Sequence, residues 1–493
     1  MIQATTREIK KRSQIVSRIQ TIENQQYSAC EKNLFPYLKQ AWKILEPGRE
    51  FKQNWHHALI SEYLEQALFP ADPAQRIRRL IINMPPRYTK SLLVSVCFPT
   101  WAWIRDPSLR FLSTSYSQNL STKHSVDRRT LIESDWYQHA WHNNFQLSSD
   151  QNVKTEFSND KRGIQFATSM SSSATGKGGD IILVDDPHDT TRAASDVKRT
   201  ADIEAFDQKF TTRLDNKETG IIIVVMQRLH EKDLTGHLLA QGDKWTHLCL
   251  PAEAPSRTTI IFPLSKRKID RMEGAILHPE REDAKQIAEV KIDLGSAGYQ
   301  AQYQQDPTPQ KGGFFNRSWW KYYHELPKDI LRTVQFVDCA EEPGITNDYT
   351  AIATWVETRT GYYLVDRFKE RVTFPDLERS TINLFNRYKP EAIVIEKKSA
   401  GTQLIQNLSR NSTLPIIPYQ PGKRSKEVRA AGAQPTVEAG NCYLPDDQAW
   451  VDEFVTQHEK FPNVEHDDLV DTTSMMVEYF KTGLKVEPRM RSL

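Results

Sequence analysis

A buried-strand pattern, Leu80-Ile81-Ile82-Asn83, runs straight into Met84-Pro85-Pro86-Arg87-Tyr88-Thr89-Lys90-Ser91 and then into the apolar Leu92-Leu93-Val94. No other stretch constrains the fold as much. A strand, a tight loop ending in Lys-Ser and a helix start are the layout of a phosphate-binding loop. In such a loop the lysine reaches the β- and γ-phosphates and the serine hydroxyl ligates Mg²⁺. The first N–H groups of the helix face the anion. Lys90 and Ser91 hold those places, but Met84 or Pro85 and Thr89 stand where the usual loop has glycine. A Cβ at Thr89 disfavours the positive φ that glycine supplies. Taken alone, the stretch fits a phosphate loop and an ordinary strand-to-helix connection equally well.

At 493 residues the chain has room for about two to four domains. Hydrophobic content of 38% with 26% charged residues fits globular domains with sizeable cores. Lys+Arg 65 against Asp+Glu 63 gives a net charge of +2, so any nucleic-acid surface is local. The cysteines Cys30, Cys97, Cys249, Cys339 and Cys442 are scattered without a C-x-x-C pair. That excludes a disulfide framework or zinc site of the usual spacing and fits a reducing cytoplasm. The polar N-terminus lacks a signal core, and no apolar run of about 18 residues predicts a membrane span.

Residues 1–45 read as a charged helical extension, with Ile9, Ile15, Ile19 and Ile22 at loose helical spacing. A solvated or partner-docking helix is expected there. Gln53 and Trp55 precede the loop by one helix; they can hold an adenine ring by amide bonding and stacking, or Trp55 can be core. A helix over 91–104, a strand at 110–116 and a helix at 118–133 predict a parallel sheet with right-handed crossovers. A strand near 163–168 and a loop of small residues, 171–179, lead into Ile181-Ile182-Leu183-Val184-Asp185-Asp186. A buried parallel strand delivers that carboxylate pair beside the phosphate loop. One carboxylate can hold Mg²⁺ and its neighbour can orient the attacking water. A further strand, 220–226, ends in Gln227 and Arg228. A polar group there can sense hydrolysis, or simply close the strand against the next helix.

In this order the motifs resemble those of the large terminase subunit of tailed bacteriophages. The matching stretches are Pro85 to Ser91, Ile182 to Pro187, Met226 to Gly236 and Tyr299 to Pro307, and the likeness spans roughly residues 50–480. The resemblance implies a P-loop ATPase with Pro86, Arg87, Tyr88, Thr89, Lys90 and Ser91 around the nucleotide. It implies Asp185 as the Mg²⁺-holding acid, Asp186 as the catalytic carboxylate, Gln227 in the coupling motif and Arg87 as a transition-state arginine. An arginine from a neighbouring subunit competes with that last role.

A Pro/Gly-rich region, 251–313, reads as a linker or subdomain with a helix near 282–294. Phe314, Phe315, Trp319 and Trp320 then seed a second core or, with Arg317 and Lys321, face DNA. Strands at 331–337, 351–356 and 361–366 form an antiparallel meander whose first strand ends on Asp338. After a helix, the strand 392–396 ends on Glu396, and a last helix begins near Asp467, Asp468 and Asp471. Acids from the first strand, the fourth strand and a final helix are the layout of the RNase H-like nuclease fold. Close carboxylates are costly unless metal neutralises them, and two Mg²⁺ or Mn²⁺ ions can activate water and stabilise the leaving 3′-oxygen. The terminase resemblance assigns the metal acids to Asp338, Glu396 and the Asp467/Asp468 pair, with Asp471 as auxiliary. The basic stretch 419–429 is expected to meet DNA phosphates.

The fold class expected is therefore α/β, a P-loop NTPase parallel-sheet domain (46–250) and a linker (251–313), then an RNase H-like domain (314–480) and a basic tail (481–493). The function implied is ATP-driven translocation of double-stranded viral DNA into a procapsid, with metal-dependent cutting of concatemers. Partners implied are DNA, the portal protein, the small terminase subunit and copies of the chain in a ring on the portal, in the cytoplasm of the bacterial host. The alternatives are a packaging subunit with weak or lost ATPase, raised by Thr89, and a repair helicase-nuclease, for which the C-terminal half offers no second motor domain.

Overall fold

The computed structural model describes residues 18, 20–172, 176–307, 314–339, 349–422, 424–464 and 466–482. Ile9, Ile15, Ile19, the middle of the small-residue loop, Lys423 and the tail beyond 482 lie outside the described residues. The described residues form two compact units. One comprises those up to 287 with 298–307, the other 288–297 with those from 314 onward.

In the first unit, β1 (Arg79–Asn83), β2 (Arg110–Ser115), β3 (Leu147–Val153), β4 (Glu156–Asn159), β5 (Ile164–Ser169), β6 (Ile181–Asp185), β7 (Ile221–Met226) and β8 (Thr246–Cys249) make one sheet. Its order is β3-β4-β5-β2-β6-β7-β1-β8, parallel except for the β3 and β4 edge. Both faces of the central strands are buried, which is why β6 and β7 are almost pure Ile, Leu and Val. Leu80, Ile82, Ile181, Leu183, Ile221, Ile223 and Val225 face one core. Ile81, Ile182, Val184, Ile222, Val224 and Met226 face the other, as period-two alternation requires.

The N-terminal helix and the helix after the loop differ from expectation. The helix Leu34–Leu45 is not a solvated extension: Leu34, Tyr37, Leu38 and Ala41 are buried in the first unit's core. Its apolar residues at i, i+3, i+4 and i+7 are what a core-facing stripe needs. The linker region also contributes structure to this unit. β9 (Thr258–Ile261) and β10 (Lys268–Arg271) pair as a hairpin, with Phe262 and Leu277 in the core. The helix expected over 91–104 is divided into a π-helix, Leu92–Cys97, and an α-helix, Phe98–Arg105, with Pro99 in its first turn.

In the second unit, β11 (Lys321–Tyr323), β12 (Ile330–Asp338), β13 (Thr350–Thr358), β14 (Tyr362–Glu370), β15 (Ala392–Glu396), β16 (Ile416–Tyr419) and β17 (Cys442–Pro445) have the order β11-β17-β14-β13-β12-β15-β16. The meander β12–β13–β14 is antiparallel, and β15 joins β12 in parallel through a helix, Phe374–Tyr388. This is the RNase H-like arrangement. Phe315 and Trp320 are buried in its core, with Phe314 and Trp319 packed against it. Arg317 pairs with Asp452 and Glu459.

Candidate active sites

Strand register sets the first site. Asn83 is opposite Met226, and Asp185 is opposite Val225, so β1, β7 and β6 end level. Their carboxyl ends deliver the Met84–Ser91 loop, Gln227 and Asp186 to one edge. Lys90 is buried, with Nζ 3.3 Å from Asp186 Oδ1 and donating to Gln227 Oε1 at 3.2 Å. The Gln227 backbone N–H donates to Asp186 Oδ1 at 3.3 Å. Ser91 Oγ donates to Asp185 Oδ1 at 3.0 Å. Five residues from three chain segments are thus joined by direct contacts. Burial raises the pKa of both carboxyls, with Lys90 pulling each back down. That is the state a cation relieves.

The loop backbone is strained where the missing glycine matters. Thr89 has φ 69°, Arg87 φ 68° and Asp186 φ 43°. Thr89 therefore adopts the left-handed conformation despite its Cβ, and the geometry is supported by its neighbours. Tyr88 supplies part of that support: it is buried, and its hydroxyl donates to Glu282 Oε2 at 2.9 Å. Thr89→Gly is expected to stabilise the protein by about 1 kcal/mol, net of glycine's extra freedom in the unfolded chain, with turnover at or above wild type. Thermal denaturation and phosphate release check this; a fall in turnover would mean that the Thr89 side chain itself contributes.

Arg87 is exposed, Pro86 is half-buried, and Gln53 is exposed. Trp55 packs against the core with the Arg271 guanidinium 5.9 Å from its ring. Behind Tyr88 lie three buried imidazoles, His56, His57 and His278, whose nitrogens fall within 4.8 Å of one another. They look like a cation site but are not arranged as one. His57 Nδ1 accepts the Asn54 backbone N–H at 3.1 Å, and His56 Nδ1 lies 3.0 Å from the Asn54 amide nitrogen. Both rings, with Nδ1 accepting, then carry their proton on Nε2 and offer no free nitrogen to a cation. Burial lowers His57 to about 3 and His278 to about 4, so the rings pack as neutral groups.

Arg228 does not cap the next helix; Asp233 does. Its carboxylate accepts Gly236 N–H and both oxygens receive Arg228 Nε at 3.0 Å. Sequence reading gave no role to Asp233, nor to Ser95, which donates to Asp185 Oδ2 at 2.6 Å.

The second site gathers acids at the end of its sheet. Val337 pairs with Ile395, so Asp338 and Glu396 emerge side by side. The helix Asp468–Thr482 brings Asp468 and Asp471, both buried. Burial raises the Asp338 pKa far above the carboxylate range, and Asp471, Glu396 and Asp468 add to it in that order. Asp468 is pushed up to about 6 by burial. Glu396 Oε2 and Asp468 Oδ2 are buried and make no hydrogen bond. Buried carboxylate oxygens without a hydrogen-bond partner fit divalent-cation ligands, although among the described residues these acids do not come within 4.8 Å of one another as a set of three.

Asp467 is linked to this group through a shared lysine. Its Oδ1 is 2.5 Å from Lys426 Nζ, and it is partly exposed. Lys426 also lies 3.0 Å from Asp471 Oδ2, while Arg429 bonds Asp471 and approaches Glu396 at 3.5 Å. Arg424 pairs with Glu478. Among the described residues of the basic stretch, Arg424, Lys426 and Arg429 each pair with a carboxylate of the helix Asp468–Thr482 or its approach.

Residues 335–480 match the family of terminase RNaseH-like domains. Over a longer span, the chain is similar in structure to the large terminase of a thermophilic bacteriophage in complex with ADP. The alignment has 9% identity, covers 85% of this chain and 98% of that one, and has a TM-score of 0.51. The second compact unit thus carries a terminase RNaseH-like domain, and the chain shares the fold of a large terminase. The ATP-γ-S complex of the same phage terminase aligns at 10% identity over 85% and 98% of the two chains, with a TM-score of 0.51. No curated protein matches the sequence. The fold class agrees with the reading from sequence, and the family match agrees with its RNase H-like part. No helix among the described residues is long and apolar enough to cross a membrane.

Proposed function

We propose that this terminase subunit hydrolyses ATP to drive double-stranded viral DNA into a procapsid, and cuts concatemeric DNA with a metal-dependent nuclease. The observation that carries the motor reading is the contact set joining Lys90 to Asp186 and Gln227, and Ser91 to Asp185. The ADP and ATP-γ-S complexes of the structurally similar phage terminase support it. In this reading Lys90 exchanges Asp186 and Gln227 for the β- and γ-phosphates. Ser91 Oγ and Asp185 hold Mg²⁺, which supplies charge neutralisation on the phosphates when bound. Asp186, released from Lys90, orients the attacking water and takes its proton. Gln227, bonded to Lys90 beforehand, loses that partner on ATP binding and reports the nucleotide state through β7. Exposed Arg87 stands available to transition-state charge, and Gln53 and Trp55 to the adenine.

In the nuclease, Asp338, Glu396 and the Asp467/Asp468 pair would hold Mg²⁺ or Mn²⁺, with Asp471 as auxiliary and Lys426 bridging Asp467 and Asp471 until metal displaces it. The ions supply an activated water and stabilise the leaving 3′-oxygen when bound. Partners in this reading are the portal, the small subunit and further copies of the chain in a ring on the portal, within the bacterial host's cytoplasm. The test is DNA packaging: portal-bearing procapsids with this subunit and ATP should protect DNA from added nuclease, and portal-less shells should not. Protection without ATP, or none in either case, would overturn the motor reading.

A further inference from the structure

Asp185 is gripped from a side that the hydrolysis scheme leaves unused. Its Oδ1 meets Ser91 Oγ at 3.0 Å, while its Oδ2 accepts Ser95 Oγ at 2.6 Å and lies 3.5 Å from His124 Nδ1. Ser91 and Ser95 are one turn apart, and Ser95 sits inside the π-helix Leu92–Cys97. Such wide turns recur at functional sites because they re-aim a group that a regular helix would place elsewhere.

Behind Ser95 lies Arg128, with 0% exposure. Its Nε donates to the Ser95 carbonyl at 2.6 Å, Nη1 to Gln165 Oε1 at 3.0 Å and Nη2 to Ser113 Oγ at 2.7 Å. None of these acceptors is a carboxylate. A buried guanidinium is costly without a counter-charge. Burial lowers its pKa, and the strongest opposing influence is Asp185, ahead of Asp127. The charge of Arg128 is thus balanced chiefly by an acid it reaches only through Ser95. Its other anchors lie on β2 and β5, and β2 is bonded to β6 with Ser113 opposite Leu183 and Ser115 opposite Asp185.

We infer that Ser95 and Arg128 are positioning residues for magnesium ligation by Asp185, an inference that rests on the nucleotide-site reading above. Ser95 fixes one carboxylate oxygen, leaving the other beside Ser91 Oγ, the second ligand of the same ion. Arg128 fixes Ser95 through its carbonyl and ties it to the strands that carry the site. The pair thus sets the rotation of the Asp185 carboxylate without touching nucleotide or metal.

The test uses the full chain. ATP hydrolysis is measured against free Mg²⁺, alongside binding of a fluorescent ATP analogue in EDTA. Ser95→Ala is expected to raise the half-saturating Mg²⁺ concentration by about 10-fold or more, the usual effect of removing a group that orients a ligand. Analogue affinity in EDTA should stay unchanged, and Ser95→Thr should restore the wild-type Mg²⁺ dependence. Arg128→Met should shift the Mg²⁺ dependence in the same direction; if it does not fold, Ser113→Ala, which removes one anchor of Arg128, should give a smaller shift of the same sign. A folded Ser95→Ala with wild-type Mg²⁺ dependence overturns the inference while leaving the nucleotide-site reading intact. A wild-type chain that binds no analogue overturns that reading, and the inference with it.

Discussion

Lys90→Ala is expected to reduce DNA-stimulated phosphate release by roughly 10³-fold, the scale of losing a preorganised charge at a phosphoryl-transfer site. The reason is visible before any nucleotide binds. Lys90 Nζ is the shared partner of Asp186 and Gln227, so one side chain holds the loop, the β6 end and the β7 end in register. Its removal leaves buried Asp185 and half-buried Asp186 without the Lys90 charge, and both rise further in pKa. Asp186 then shifts toward the protonated form, which cannot take a proton from water. Lys90→Arg should not rescue, because a planar fork does not fit a space shaped for one ammonium. Metal-dependent nicking should persist in Lys90→Ala, since its acids belong to the other compact unit. Phosphate release within twofold of wild type would remove Lys90, and with it the loop, from the nucleotide site.

The buried strands and the order of the acids were legible because they are local. Ile181–Asp185 and Ile221–Met226 are runs that only a doubly covered parallel strand tolerates, and both are strands. Asp338 and Glu396 were legible as strand ends for the same reason. What stayed hidden depends on contacts far apart in the chain. Nothing local in sequence marks Ser95 or Arg128; only the packing of Gln118–Glu133 against β2 and β5 buries Arg128. Lys426 and Arg429 were legible as a basic run but not by their carboxylate partners, which are some 40 residues downstream. Thr89 was legible as a problem but not in its outcome. Its positive φ is imposed by the surroundings, against its own preference.

The second large effect concerns the acid cluster, where activity and stability should move in opposite directions. Asp338→Asn is expected to abolish Mn²⁺- or Mg²⁺-dependent nicking of plasmid DNA and to remove the rise in melting temperature that Mn²⁺ gives the wild type. Without metal, the same variant should be more stable than wild type at pH 8. Burial and the neighbouring Asp471, Glu396 and Asp468 hold the Asp338 pKa above its unfolded value, so folding takes up a proton there. Stability from this group is full below the ordinary carboxylate range, about pH 4, and falls as pH rises toward the elevated folded value. Asparagine keeps the shape without the charge, so the two proteins should converge in melting temperature near pH 4 and separate above it. Divalent metal reverses the balance for the wild type alone, because the orphaned oxygens of Glu396 and Asp468 gain a ligand only if Asp338 helps to hold it. Nicking that survives in Asp338→Asn, or an undiminished Mn²⁺ shift, would place the metal somewhere other than this cluster.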